Sequence, residues 1–506
     1  MPVGRTPERY PPTCTPTDVA ARFRTRVVGI SPSIRGHLIS CKLVSLLAVA
    51  ILSVAACAPL ASEPAEGAPG DGIAAPDDGG GSADATSRDD PAASVPGADE
   101  HDGPTDAAGA DEVDGDGRGD AGAARVPPPS DGLEPRPIRS FTIAAVGDVL
   151  PHPAVIDRAV AYGQQSGQPY DFRLMFAEVA PIVQAADLAV CNMETPLATD
   201  HEVVRQTVGR RTPSGGAPVF VAPRELAEAM AGAGFNACAT ANNHATDTGV
   251  DGLVATLEVL DDVGIASAGT GRTPEEASEP AWLDVNGVTV ALLSATYGVN
   301  LPLPAGQEWM VQTIDVDRLL DQARAAREAG AEFVVLSLHH GREYQIELSD
   351  GQRERIAPLL EDGSIDLILG HHAHVVQAIQ RVHGRVAVHG LGNILSNQYA
   401  GLTGPETQDG VVALLEVTEH PAGAGFHVTD VGYVPTWVDR DRHVIVDVGT
   451  ALADDDLAAW RRAEYEASWR RTVAAIEGEG AAAWGVEPSA GTAWFDARRA
   501  APVPVG

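Results

Sequence analysis

The chain has 506 residues, enough for two or three domains, with 70 Asp and Glu against 35 Lys and Arg and a formal net charge of −35. Such an acid excess argues against nucleic acid as a partner, because a phosphate backbone demands the opposite sign. Composition changes sharply along the chain, so the folded part is shorter than the whole.

Residues 41–57 read CKLVSLLAVAILSVAAC, beside Arg35 and Lys42. An apolar stretch of about 14 residues is too short for a typical membrane span and suits a signal-peptide core. It ends in Val54-Ala55-Ala56-Cys57. Small residues before a cysteine resemble a bacterial lipobox, in which Cys57 is lipidated and becomes the mature N-terminus. The alternative is an ordinary secretory signal cut near Ala56. Residues 1–57 are therefore expected to be a leader, with 1–34 an over-extended start, and the product to be extracytoplasmic and held to the membrane by a lipid. Residues 58–136 carry 19 acidic and 4 basic residues among Ala, Gly, Pro and Ser. With almost no large apolar side chains they cannot offset chain entropy, which predicts a disordered acidic tether. Of the five cysteines, Cys14 and Cys41 leave with the leader; Cys191 and Cys238 end apolar runs and read as buried small hydrophobes, with no disulfide framework implied.

From residue 137 strands and helices alternate. FTIAAV reads as a strand before Asp148, a helical stretch around 172–186 precedes the strand DLAVC, and Pro223–Ala233 reads as a helix before NACATA. Gly252–Val263 is a helix closed by Gly264. AWLDV, Asn286-Gly287 and TVALLSAT form a hairpin, since Asn-Gly between β-formers favours the tight turn. A helix over 315–330, strands FVVLSL, IDLILG and RVAVHGLG, and a helix over 351–360 follow; VVALLEV and HVTDVGYVPTWV read as antiparallel strands. Residues 137–450 thus predict an α/β (α+β) domain with a mixed sheet, and 451–506 a C-terminal helical extension with a charged helix over 453–478.

Short polar clusters stand where the apolar runs end: Gly147-Asp148, Asn192-Met193-Glu194, Asn242-Asn243-His244, His339-His340-Gly341 and Gly370-His371-His372-Ala373-His374. Such runs suggest buried parallel strands, whose carboxyl ends are where open sheets bind ligands. Hard oxygen and imidazole donors together suit divalent transition metals. Asp148 can bind one ion, Glu194 can bridge two, Asn243 offers a carbonyl oxygen, and His339, His372 and His374 offer nitrogens. Two ions about 3.5–4 Å apart can clamp a phosphoryl group and acidify water. His244 is then placed as general acid, and His152 can join from the loop after Asp148. His372 and His374, alternate residues of an extended segment, would point the same way. Glu343-Tyr344 either faces substrate or is a plain loop.

GDVLPH at 147–152, NMETPL at 192–197, ANNHATDTG at 241–249, HHGREY at 339–344, GHHAH at 370–374 and LGN at 391–393 resemble the CapA family of poly-γ-glutamate capsule synthesis proteins, within the calcineurin-like metallophosphoesterase superfamily. The resemblance covers roughly residues 140–400. It implies a four-layer αββα sandwich and two divalent ions (Mn, Fe or Zn), with His244 as catalytic histidine and His152, Glu343 and Asn393 beside the substrate. The chain departs from the wider superfamily: Asp148 is followed by Val149 and Leu150 instead of a nearby histidine, Glu194 replaces an Asp, and His340 stands where the family often has Trp. The function implied is a metal-dependent hydrolase acting on a phosphoester or an anionic cell-envelope polymer, with capsule-synthesis membrane proteins as partners. The alternative is a non-catalytic component of the export machinery that binds polymer or partner proteins.

Overall fold

The computed structural model describes residues 138–500, apart from 214, 215, 422 and 424. The expected leader over 1–57, with Cys57, and the acidic segment over 58–136 lie outside the described residues.

Side-chain parity along the strands builds the layers. In Ser140–Val149, Ala144 and Val146 enter one apolar cluster, while Phe141, Ile143 and Ala145 enter another. Leu188–Met193 divides the same way, with Ala189 and Cys191 in the first cluster and Leu188 and Val190 in the second. This is the period of two of strands buried on both faces. Phe333–His339 sends Phe333 and Val335 into that second cluster and Val334, Leu336 and Leu338 into a third. The second cluster is therefore the layer between two sheets. Helices Pro153–Ser166, Glu225–Ala233 and Gly249–Val263 close the first cluster. Helices Val316–Glu328 and Asp350–Glu361 close the third. The fold is an αββα sandwich, as expected.

The first sheet runs edge to edge through Val444–Asp447, Phe426–Asp439, Asp409–Glu419, Ser140–Val149, Leu188–Met193, Ala237–Ala239 and Ala266–Ala268. Asn393–Leu395 lies parallel to the first strand, with Asp148 opposite Asn393. The second sheet runs through Ile379–Val382, Arg385–Val388, Leu367–His371, Phe333–His339, Val288–Thr296 and Ala281–Val285. Ser140–Val149, Leu188–Met193 and Ala237–Ala239 are mutually parallel, as are Val288–Thr296, Phe333–His339 and Leu367–His371. The polar clusters therefore sit at the carboxyl ends of strands from both sheets.

Two glycines make this crowding feasible. A Cβ on Gly147 would stand 1.9 Å from the carbonyl oxygen of Gly392, whose own φ is 69°. Instead the backbone passes close enough for the Asp148 N–H to donate to that carbonyl at 2.9 Å. A Cβ on Gly370 would likewise stand 1.9 Å from the His389 carbonyl oxygen.

The hairpin is present, with φ of 54° at Asn286 and 75° at Gly287, as a tight turn of this hand requires. Other elements differ from expectation. The stretch around 172–186 breaks into Arg173–Phe176 and Ala180–Ala185, the second opening on Pro181, which is at home in a first helical turn. Pro223 does not open a helix; Ala222–Pro223 pairs with Leu197–Ala198 and the helix starts at Glu225. The charged C-terminal helix is Ala459–Glu477, and beyond it Glu487–Pro488 pairs with Phe426–Asp439 while Trp494 and Phe495 enter the first core cluster. The sharpest correction concerns Cys191 and Cys238. They are buried, but they are joined in a disulfide, because the parallel register of adjacent strands sets them opposite each other with Cα atoms 4.5 Å apart.

Candidate metal centre

Asp148 lies near the end of the first strand and is fully buried. Its Oδ1 accepts a hydrogen bond from Asn192 Nδ2 at 2.8 Å, and its Oδ2 lies 3.1 Å from His374 Nδ1. His371 Nδ1 is 3.4 Å from Oδ1. Burial opposes ionisation of this carboxyl, but the imidazoles of His371 and His374 outweigh it and hold Asp148 well below the usual carboxylate range.

Glu194 follows the second strand and is also fully buried. Neither of its oxygens has a hydrogen-bond partner among the described residues. His339 Nε2 stands 3.4 Å and His374 Nε2 3.8 Å from Oε1. Burial, and then the charge of Asp148, push this carboxyl well above its ordinary value. A buried carboxylate without partners is destabilising by several kcal/mol unless a cation meets it.

The donors sort around Glu194. Asp148, Glu194 and His374 have ligand atoms all within 4.8 Å of one another, and so do Glu194, His339 and His372. Asn243 Oδ1 lies 2.8 Å from His339 Nε2, which adds it to the second set. Glu194 belongs to both. A third set, Glu343, His372 and His374, reaches outward to the exposed Glu343. Burial depresses His339 well below the ordinary imidazole value and His372 to about 4, so both present neutral lone pairs. His374 is raised, because the carboxylate of Asp148 outweighs its burial. The orphaned oxygens of Glu194 and the mixed carboxylate, amide and imidazole donors fit divalent transition-metal ions.

His372 and His374 reach the centre by a route other than the expected one. The segment is bent, with left-handed backbone at His372 (φ 89°) and His374 (φ 56°); each ring joins Glu194 in a different set, and the two meet in the third set with Glu343. Non-glycine residues in this region are strained, and such strain collects at functional sites.

His244 stands beside the centre. Its Nδ1 is 2.7 Å from Asp247 Oδ2, which also accepts the Phe220 N–H at 2.7 Å. Asn242 ties this loop to the second strand, accepting from the His244 N–H at 3.1 Å and donating to the Met193 carbonyl at 2.8 Å. Asn300 Nδ2 is 3.4 Å from the same imidazole. His152 sits at the edge: its ring packs on Phe220, 5.0 Å away, and Phe220 packs on His244 at 4.7 Å. Asn393 is fully buried; its Oδ1 lies 3.1 Å from His374 Nδ1 and its Nδ2 donates to Gln398 and to the Thr407 carbonyl, so it braces a ligand from behind.

Several contributors escape the sequence reading. Asn192, which clamps Asp148 and lies 3.3 Å from His339 Nδ1, is inside a quoted motif, as are His371 and Asp247. The offset of three between His244 and Asp247 on a tight loop was the available signal. Tyr297, its ring 4.5 Å from that of His372, and Asn300 arrive from a distant loop and carry no such signal.

The description "Bacterial capsule synthesis protein PGA_cap" matches residues 142–398, just over half the chain. The chain is 28% identical over 308 residues to the PGA biosynthesis protein CapA of Bacillus subtilis, covering 57% of this chain and 73% of that protein. It is 27% identical to the capsule biosynthesis protein CapA of Bacillus anthracis, covering 51% and 60% respectively. Among solved structures, the calcineurin-like phosphoesterase YfkN of Bacillus subtilis aligns with 67% of this chain and 97% of its own at 15% identity and a TM-score of 0.36. By the extent of the profile match, this chain belongs to the PGA_cap family of bacterial capsule synthesis proteins.

Proposed function

We propose that this protein is a metal-dependent hydrolase of phosphoesterase type, working at the cell surface in the synthesis or export of a capsule polymer such as poly-γ-glutamate. The observation that carries the reading is Glu194: a buried carboxylate with no hydrogen bond at either oxygen among the described residues, shared by two sets of ligands. Asp148 and His374 would hold one ion, Asn243, His339 and His372 the other, with Glu194 between them. When bound, two ions (Mn, Fe or Zn) would polarise a phosphoryl group and acidify water.

The protein's own groups do the rest. Asp247 accepts the Nδ1 proton of His244 and so fixes its tautomer. Nε2 is then the atom that exchanges a proton with the substrate's leaving oxygen. Asn192 prevents Asp148 from turning away, and Asn393 does the same for His374. Lipidation at Cys57 and an acidic tether over 58–136 would hold the domain off the membrane surface. The Cys191–Cys238 disulfide supports an oxidising, extracytoplasmic setting.

The test is elemental analysis of the purified full-length chain together with a panel of phosphoesters. Close to two transition-metal ions per chain and metal-dependent turnover are expected. Metal without turnover of any phosphoester would favour the non-catalytic, polymer-binding role. Absence of metal under every loading condition would sink the hydrolase reading.

A further inference from the structure

Three consecutive residues, Asn397, Gln398 and Tyr399, fix two partly exposed side chains beside the centre. Gln398 Nε2 donates to the Tyr344 hydroxyl at 3.3 Å, and its Oε1 accepts from Asn393, the residue that braces His374. The Tyr344 ring is stacked 6.0 Å from that of His374, yet the residue is 40% exposed. Its φ is 63°. A tyrosine in left-handed backbone persists only where its surroundings over-determine it.

On the other side of Gln398, Asn397 Oδ1 accepts from Arg440 Nε at 3.2 Å and lies 2.9 Å from His443 Nε2. The Tyr399 ring lies 3.8 Å from the same guanidinium. The Asn397 N–H points to His152 Nδ1 at 3.3 Å, and His152 leads through Phe220 to His244. The acids flanking Arg440 are committed elsewhere: Asp439 accepts from Arg442 at 2.7 Å, and Asp441 pairs with Arg461 at 3.1 Å. The terminal nitrogens of Arg440 make no hydrogen bond among the described residues. Arg440 is therefore a pre-oriented guanidinium with no carboxylate partner among the described residues.

We propose that Tyr344 and Arg440 form a lip that binds an anionic chain with planar amide links, Tyr344 meeting the face of an amide and Arg440 its carboxylate. A guanidinium held flat on an aromatic ring presents its fork ready for bidentate pairing with a carboxylate. A half-exposed aromatic face offers apolar contact to a flat group at little conformational cost. This inference rests on the capsule-polymer reading above and names how that site selects its ligand.

The test is calorimetric titration of the purified full-length chain with three probes: a γ-linked glutamate oligomer, the same oligomer with its α-carboxyls amidated, and inorganic phosphate. Arg440→Gln is expected to weaken the anionic oligomer by about 10- to 100-fold, the range for a lost charge-assisted hydrogen bond, and to leave the uncharged oligomer nearly unchanged. Tyr344→Ala should weaken both oligomers, and Tyr344→Phe should restore them. The lip is refuted if both variants bind the anionic oligomer as wild type does, if wild type binds no oligomer, or if Arg440→Gln affects phosphate alone. Bound metal is measured on the same samples. Its absence from wild type would overturn the hydrolase reading while the oligomer arms still decide the lip.

Discussion

Removing the Cys191–Cys238 disulfide is a quantitative test of how the first sheet is held together. The bond closes a loop of 47 residues' separation between two fully buried cysteines on adjacent strands. For a loop of this length the chain-entropy estimate is about 4 kcal/mol, from −2.1 − 1.5R ln n at room temperature. The double variant Cys191→Ala/Cys238→Ala is therefore expected to lose about 4 kcal/mol, with a further contribution where two sulfur atoms leave a packed layer. Urea unfolding followed by fluorescence and far-UV circular dichroism gives the loss as the difference in free energies extrapolated to water, with a larger m-value expected for the variant because its uncrosslinked denatured state exposes more surface. Mass spectrometry of the unreduced wild type should find no free thiol at either position. A loss under about 1 kcal/mol, or free thiols in protein secreted through an oxidising compartment, would refute the reasoning. Because Asn192 follows Cys191 directly and Asn243 lies five residues beyond Cys238, weaker metal binding should accompany the loss.

Four further outcomes follow from the site and its surroundings. His372→Ala/His374→Ala should abolish bound metal, read by elemental analysis, while circular dichroism shows the domain still folded; retained metal would exclude the proposed ligand sets. His244→Ala should keep the metal and lower turnover by about 100- to 10,000-fold, and Asp247→Asn should do so less severely while shifting the pH profile; unchanged turnover in both would remove His244 from the chemistry. Burial depresses the non-ligand His340 to about 3 and His389 and His443 to about 4, so above pH 6.5 these groups are neutral in both states, and as pH falls towards 4 the unfolded chain alone takes up protons. Stability should then fall by up to about 1.4 kcal/mol per pH unit for each histidine, and equal denaturant midpoints at pH 7 and pH 5 would contradict this. Cys57→Ser should move the protein from the membrane fraction to the soluble one; a variant that stays with the membrane would end the lipoprotein proposal.

The strand-end clusters were legible because each is local: an apolar run sets the strand, and the next residues must lie at its carboxyl end. That logic places Asp148, Glu194, Asn243 and His339 without knowledge of the fold. It serves less well at His372 and His374, where an extended segment was expected and a doubly left-handed bend is found, since backbone handedness at a histidine leaves no mark in composition. The disulfide was hidden because two cysteines 47 residues apart meet only through the parallel register of their strands. Asn300 and Tyr297 join the centre, and Asn397 and Arg440 lie outward of His152, by tertiary packing of loops, which hydrophobic periodicity does not encode. The four layers were expected from resemblance; the parity of Ala144 and Ile143, facing opposite clusters, is their physical cause.

The centre draws Asp148, Glu194 and Asn243 from one sheet and its histidines from the other. Between the sheets lie side chains such as Val190, Ile143, Phe333 and Val335, whose contacts are non-directional and would tolerate a small slide. Metal coordination tolerates only about 0.2 Å. The apolar layer thus acts as a spacer block that sets the gap across which the donors must agree. A methylene added or removed at Phe333 or Val190, well inside the sandwich and touching no ligand, would alter that gap. Loss of function in this protein is therefore expected to map onto two populations of substitutions, one at the ligands and one in the layer that gauges their separation.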